Sequence, residues 1–195
     1  MHRLSSAFVL GYHGCDKAVA EALLSGEEFK TSKNVYDWLG NGIYFWEANP
    51  VRGLEFAGEL MNSSRGLNVT EPAVVGAVVD LGLCLDLMTS AGVRQVEEAH
   101  KVFVKICETA EVELPKNSSD EDKLRRPLDR AVFEQLHDIR KEAGDSSIDT
   151  VRGVFVEGDP VYEGAGFNKK THIQICVRNP LNIKGVFRVS GDQLS

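Results

Sequence analysis

The stretch YDWLGNGIYFWEANP, Tyr36 to Pro50, decides how the rest of this chain is read. It sets two Trp, two Tyr and a Phe around two glycines and two acids. A core strand has no use for so many polar-tipped rings beside glycines. One reading is a loop folded over the core by its own aromatics. The other is a platform, with Tyr44 as a flat wall for a heterocycle and Gly40 and Gly42 leaving room for it to approach. GIYFW reads as a brief strand or the entry to a helix. Just beyond it, Asn49 is placed to cap a helix and Pro50 to open it. That helix, NPVRGLEFAGELMNSSRG, would carry Val51, Leu54, Ala57 and Met61 on one face.

Upstream, LSSAFVLGYHG reads as a strand that stops at Gly14. DKAVAEALLSG follows as a helix with Val19, Ala20, Leu23 and Leu24 on one side and Gly26 as its stop. Downstream, PAVVGAVVDLGLCLDL is apolar without alternation, which predicts a strand buried on both faces and then a second extended piece. Two helices come next. In the first, Val93, Val96, His100, Phe103 and Cys107 share a face. In the second, PLDRAVFEQLHDIRKEAG, Leu128, Val132, Gln135 and Ile139 do, with Leu136 at the edge. The polar stretch PKNSSDEDKLRR between them reads as surface loop. After Gly144, VRGVFVEGDPVYEGAGF is a strand and a Gly/Pro-punctuated loop. THIQICVRNPLNIKGVFRVS is two strands around a Pro/Asn turn. Strands at both ends with helices between predict a single α+β domain over 1–195, its mixed sheet closed by the C-terminal strands.

Bulk properties narrow the class. With 195 residues, 43% of them hydrophobic, the chain can bury one sizeable core. A net charge of -7 offers no global pull on nucleic acid or anionic membrane. Four scattered cysteines without a CxxC read as buried free thiols, and no run of ~18 apolar residues is present to span a bilayer. A cytoplasmic protein with no membrane partner is expected. His13 and Cys15 lack third and fourth ligands at a supporting spacing, so no metal is expected.

Two further segments carry chemistry. In GYHGC, His13 ends a strand beside Gly14, whose bare backbone lets a ligand pair with its N–H and C=O. In HIQICVR, a period of two puts His172, Gln174, Cys176 and Arg178 on one face, and a mid-strand Gln must find partners if buried. This face either is the wet side of an edge strand or lines a cleft.

Taken together, YHG at 12–14, LGNGIYF at 39–45 and the late QICVRNPLNI strand resemble the ADP-ribosyltransferases of the diphtheria-toxin and poly(ADP-ribose)-polymerase type. The resemblance is strongest over residues 8–60, and the helices of 92–143 would be an insertion between the central and C-terminal strands. It implies a small bacterial or phage-related member with NAD as substrate, and an H-Y-Q variant of the family's H-Y-E motif: His13, Tyr44 and Gln174. By analogy His13 would bind a ribose hydroxyl, Gly14 would pair with the nicotinamide carboxamide, and Tyr44 would stack on the nicotinamide ring. Gly42 and Trp38, with Trp46 as the alternative to Trp38, would complete the NAD pocket.

Gln174 stands where the family has glutamate. That implies transfer of single ADP-ribose units to a macromolecule (protein or nucleic acid), or an NAD-binding module that has lost transfer, or NAD hydrolysis by water. Glu157, Glu163 and Glu47 are candidate substitutes for the missing acid. Glu157, Tyr162, Glu163 and Phe167 fall where the family's acceptor loop lies, and the small hydroxyl residue and second stacking aromatic of the family would fall near Arg52 and Glu55. Tyr162, Phe167, Lys169, Lys170 and Arg178 are candidate contacts to a nucleic-acid acceptor. A toxin or defence effector, held by an antitoxin or other neutralising partner, is the expected biological setting.

Overall fold

The computed structural model describes residues 7–35, 37–62, 69–119 and 125–194. Within it, Asp16 ends the first strand, β1 (Phe8–Asp16), and caps the helix α1 (Lys17–Leu24) by accepting the Ala18 N–H at 2.9 Å. Gly26, at φ +101°, takes the left-handed conformation that stops α1. GIYFW forms a strand, β2 (Ile43–Glu47), and α2 (Pro50–Met61) follows with Asn49 Oδ1 accepting the Arg52 N–H. Then come β3 (Pro72–Asp80), β4 (Cys84–Asp86), α3 (Ser90–Thr109), α4 (Pro127–Glu142), β5 (Thr150–Phe155) and β6 (His172–Val177). A single 3₁₀ turn over Pro180–Asn182 leads into β7 (Ile183–Arg188). Residues 4–6 of the predicted first strand, 63–66 of the predicted second helix and 120–124 of the predicted polar loop lie outside the described residues.

Among the described residues the strands form one sheet in the order β4-β5-β6-β2-β1-β3-β7. Only β4 and β5 are parallel, so the sheet is mixed and the domain α+β. The two long helices do lie between β4 and β5. They cover that half of the sheet through Ala99, Val132, Phe133 and Leu136, packed with Trp38, Leu39, Leu85 and Val151.

The join between the two halves positions everything else. β1 pairs with β3 along its whole length, and β2 pairs with β6 from Ile43 to Trp46. Between β1 and β2, however, only Gly11↔Glu47 and Tyr12↔Trp46 are paired. Beyond Tyr12 each strand keeps its outer partner and the two part, so the sheet forks. In the fork the His13 side chain takes the place of a ladder bond, its Nδ1–H donating to the Tyr44 carbonyl at 2.9 Å.

Several helix faces differ from the pattern-based expectation, α3 among them, where Val93 is exposed and Gly92, Ala99 and Cys107 are buried. In α2 the buried residues are Arg52, Gly53, Ala57 and Leu60, while Val51 and Met61 are exposed. The cause is backbone contact: a Cβ on Gly14 would lie 1.9 Å from the Gly53 carbonyl oxygen. The helix turns its glycine toward β1 to allow that approach, and Val51 and Met61 turn outward. In α4 the buried face runs through Val132, Phe133 and Leu136 rather than Gln135, because Phe133 fills the space over the sheet. α1 buries Ala20 and Leu23 as expected, but Val19 is exposed toward the fork.

Gly14→Ala forces α2 off β1. A loss of about 1–3 kcal/mol, typical of overpacking, is expected as a lower denaturant midpoint. A midpoint equal to wild type would mean that the Gly14–Gly53 contact does not hold the helix.

A candidate active-site cleft in the fork of the sheet

The parting of β1 and β2 opens a cleft of about 400 Å³, within the size range of small-molecule sites. His13 and Gly14 reach it from β1, Tyr44 and Trp46 from β2, and His172 and Gln174 from β6. Trp38 and Asp37 come from the loop before β2, Arg52 and Phe56 from α2, and Phe155 and Glu157 from the end of β5 and the residues after it. Cross-strand register explains the set: Trp46 faces Gln174 and Tyr44 faces Cys176, so their side chains share one side of the sheet.

Each polar group here has a defined state. His13 donates through Nδ1, which leaves Nε2 as an acceptor in the neutral ring. Burial lowers its pKa and favours that neutral form, against the smaller opposing effect of the Tyr44 carbonyl. Its ring is edge-on to Phe29 at 5.3 Å and tilted against Phe45 at 5.7 Å. The Tyr44 hydroxyl donates to the Gly40 carbonyl at 2.8 Å and accepts the Leu39 N–H at 3.0 Å. Burial holds its pKa well above 10, so the phenol stays neutral and fastens the loop. Gln174 Oε1 accepts the Trp38 indole N–H at 2.6 Å, which answers the need of a mid-strand amide for a partner. The Trp38 ring sits edge-on to Phe155 at 5.2 Å, and the Arg126 guanidinium lies 4.9 Å and 4.1 Å from the two ring centroids. Such cation–π contacts stiffen this wall. Asp37, buried in the loop, accepts from Ser32 Oγ at 2.7 Å and from the Asn34 N–H at 2.6 Å.

Other sequence candidates are placed elsewhere. Gly42 is buried outside the cleft lining, and a Cβ there would lie 2.3 Å from Cys176 Sγ and 2.8 Å from the Val177 oxygen. Gly40, at φ +87°, faces Glu134 of α4. The two glycines thus make room for β6 and α4, and not for a ligand. Glu47 is held by Arg152 through bonds of 2.6 and 2.9 Å and does not line the cleft. Glu163, Tyr162 and Phe167 stand exposed on the loop between β5 and β6, which closes on itself through Val161 N–H to the Phe167 carbonyl. Of the three candidate acids only Glu157 reaches the cleft, and Arg52 Nη2 binds both its oxygens at 3.0 and 2.9 Å. The candidate basic contacts are also paired: Lys169 with Asp159, Lys170 with Glu59 and Arg178 with Glu134.

Sequence reasoning missed several wall residues, Phe155 among them. Phe56 packs its ring 4.8 Å from Trp46. It lies one position beyond Glu55, near which a second aromatic was sought, so its signal was present. His172 is stacked on Phe155 at 5.5 Å and was visible only as a face-mate of Gln174. Arg52 is buried because Glu157, far along the chain, comes to meet it.

No family model matches this chain. Neither the curated proteins nor the solved structures give a match. The function is therefore read from the cleft itself. No helix of the described residues is long and apolar enough to cross a membrane. Among the same residues no group of three or more His, Cys, Asp or Glu is arranged to hold a metal ion.

Removing one member of the Arg52–Glu157 pair leaves the other charge buried. Arg52→Met is expected to cost about 3–5 kcal/mol, and adding Glu157→Gln should recover a large part of it. Additive losses in the double variant, measured by denaturant unfolding, would show that the two are not coupled.

Proposed function

We propose that the chain is an NAD-dependent ADP-ribosyltransferase that moves one ADP-ribose unit to a macromolecular acceptor. What supports this reading most is that His13, Tyr44 and Gln174, on three separate strands, line one cleft. When bound, NAD supplies the glycosidic bond that breaks, with nicotinamide as leaving group. The chain supplies position and shape. His13, neutral with a free lone pair at Nε2, suits a ribose hydroxyl as donor. Gly14 offers backbone where no side chain can stand. The Tyr44 ring is immobilised by two bonds to its hydroxyl, so a flat partner stacking on it costs little ordering. Trp38, Trp46 and Phe56 extend the aromatic wall. Gln174 Oε1, oriented by Trp38, keeps a second lone pair for a ribose hydroxyl.

One observation favours the alternative of an NAD-binding module without transfer. Gln174 carries no charge, and the one candidate acid in the cleft is neutralised by Arg52. Stabilisation of developing positive charge by these two residues is correspondingly weak. This also fits single-unit transfer in place of chain building.

The readings separate on incubation with NAD labelled in the adenylate part. Label on a macromolecule supports transfer, free ADP-ribose supports hydrolysis, and binding without turnover supports the module. Tyr44→Ala is expected to lower NAD turnover about 100-fold while the chain stays folded; His13→Ala is expected to lower turnover as much and, by unpairing the Tyr44 carbonyl, to lower the denaturant midpoint as well. Gln174→Ala is expected to lower it at least about 10-fold, or ~1.4 kcal/mol of barrier. Wild-type turnover in either of the first two variants would remove the site assignment.

A further inference from the structure

Breaking a glycosidic bond to nicotinamide moves positive charge onto the ribose, and a carboxylate that carries no cation of its own can stabilise it. Among the described residues four acids line the cleft: Asp16, Asp37, Glu59 and Glu157. Three of them are already occupied. Glu157 has both oxygens on Arg52 Nη2, at 3.0 and 2.9 Å. Glu59 takes Lys170 Nζ at 2.8 Å and Arg52 Nη2 at 3.3 Å. Asp16 is saturated by neutral donors. Its Oδ1 accepts the Ala18 N–H, and its Oδ2 accepts the Thr70 N–H, the Thr70 hydroxyl and the Glu71 N–H.

Asp37 differs on each point. Among the described residues it forms no ion pair. Its Oδ2 takes both of its bonds, from the Ser32 hydroxyl at 2.7 Å and the Asn34 N–H at 2.6 Å. Oδ1 accepts none, and it is not among the unpaired atoms closed off from solvent. The residue as a whole is 7% exposed. A charge so buried acts through a lower dielectric than water and is felt more strongly.

Its neighbours are the residues assigned to nicotinamide and its ribose. The Asp37 carbonyl accepts the Gly40 N–H at 2.8 Å, which closes the turn whose Leu39 N–H and Gly40 carbonyl hold the Tyr44 hydroxyl. The next residue, Trp38, holds Gln174. The field of Asp37 reaches the Tyr44 ring: burial is the main cause of the raised Tyr44 pKa, and Cys176 and the Asp37 charge add to it.

We propose that Asp37 is a catalytic residue of the transfer, the carboxylate that stabilises positive charge developing on the ribose. This rests on the reading of the cleft as an NAD site. Asp37 supplies, from the loop before β2, the charge that Gln174 lacks. In the step, the bond from the anomeric carbon to the nicotinamide nitrogen breaks and its electron pair leaves with nicotinamide. The positive charge of the pyridinium passes to the anomeric carbon and the ring oxygen. A lone pair of the acceptor then bonds to that carbon, and the acceptor's proton goes to solvent. Asp37 exchanges no atom or electron, and the step needs no oxidant or reductant.

The loop keeps this carboxylate charged without cancelling it. Burial raises its pKa from 3.8, while the bonds from Ser32 and Asn34 and the more distant Arg130 charge oppose the rise. Neutral donors thus do for Asp37 what a guanidinium does for Glu157, and leave its negative charge available.

Asp37→Asn tests the role, because an amide oxygen can keep both bonds of Oδ2 while the charge is lost. In the full chain, kcat for nicotinamide release should fall at least about 100-fold. The KM for NAD should stay within about threefold and the denaturant midpoint should not move. A structural role alone would give the reverse, a lower midpoint with kcat kept, and would overturn the proposal. A second measurement needs no turnover and no variant. Tryptophan fluorescence should show wild type binding iminoribitol, whose ring nitrogen is protonated, at least about 10-fold tighter than anhydroribitol, which has a neutral ring oxygen. Asp37→Asn should lose that preference. Equal affinity of wild type for the two mimics would overturn the proposal even if the variant fails to fold, and so would a preference that survives in Asp37→Asn. NAD bound by wild type without turnover would favour the binding module and overturn this role. A wild-type chain that neither binds NAD nor releases nicotinamide would remove the transferase reading and this role with it.

Discussion

A single side chain standing in for a backbone ladder bond governs this structure. His13 Nδ1 binds the Tyr44 carbonyl where β1 and β2 would otherwise continue to pair. Backbone groups in a sheet must find partners, and this bond lets the strands separate without leaving that carbonyl unpaired. The fork it props open is the cleft. The same bond sets the histidine tautomer, so the residue that opens the site is also prepared to accept a hydrogen bond within it.

Close backbone approach then fixes the walls. Gly14 against Gly53 brings the first turn of α2 down on β1, which delivers Arg52 and Phe56 to the cleft. Gly42 against Cys176 lets the loop before β2 lie over β6, which delivers Trp38 to Gln174. Interiors packed this densely leave little slack. Rings placed by such contacts are preorganised. The Cys176 thiol beneath the loop, its pKa pushed up to about 12 by burial, is a packing group.

Much of the fold was legible in local pattern. The Asn49 cap with Pro50 behind it, the stop at Gly26 and the helices between β4 and β5 all follow from propensity, capping and periodicity, whereas GIYFW was left open between a strand and a helix entry. Helix faces were read less well. Apolar spacing in α2 favoured Val51 and Met61, but the helix rolled to seat a glycine on a strand, and a buried arginine took a core position. Hydropathy does not register a position chosen for the absence of a side chain, or a charge buried because its partner arrives from another element. Glu47 shows the converse: its place beside Tyr44 suggested a site acid, but alternation along β2 turned it to Arg152.

By itself the amino-acid sequence determined the elements, their order and the local chemistry of GYHG, GIYF and HIQIC, because capping, turn and alternation rules act over a few residues. Only the tertiary structure decided which of those residues share a cleft. It also decided that Glu157 would be neutralised by Arg52, that Gly42 would serve strand packing, and that His172 would be left with an unpaired nitrogen. These outcomes depend on strand register and on a fork two residue pairs from where β1 and β2 first meet. Register and forking are settled by contacts between distant segments, which no local rule encodes.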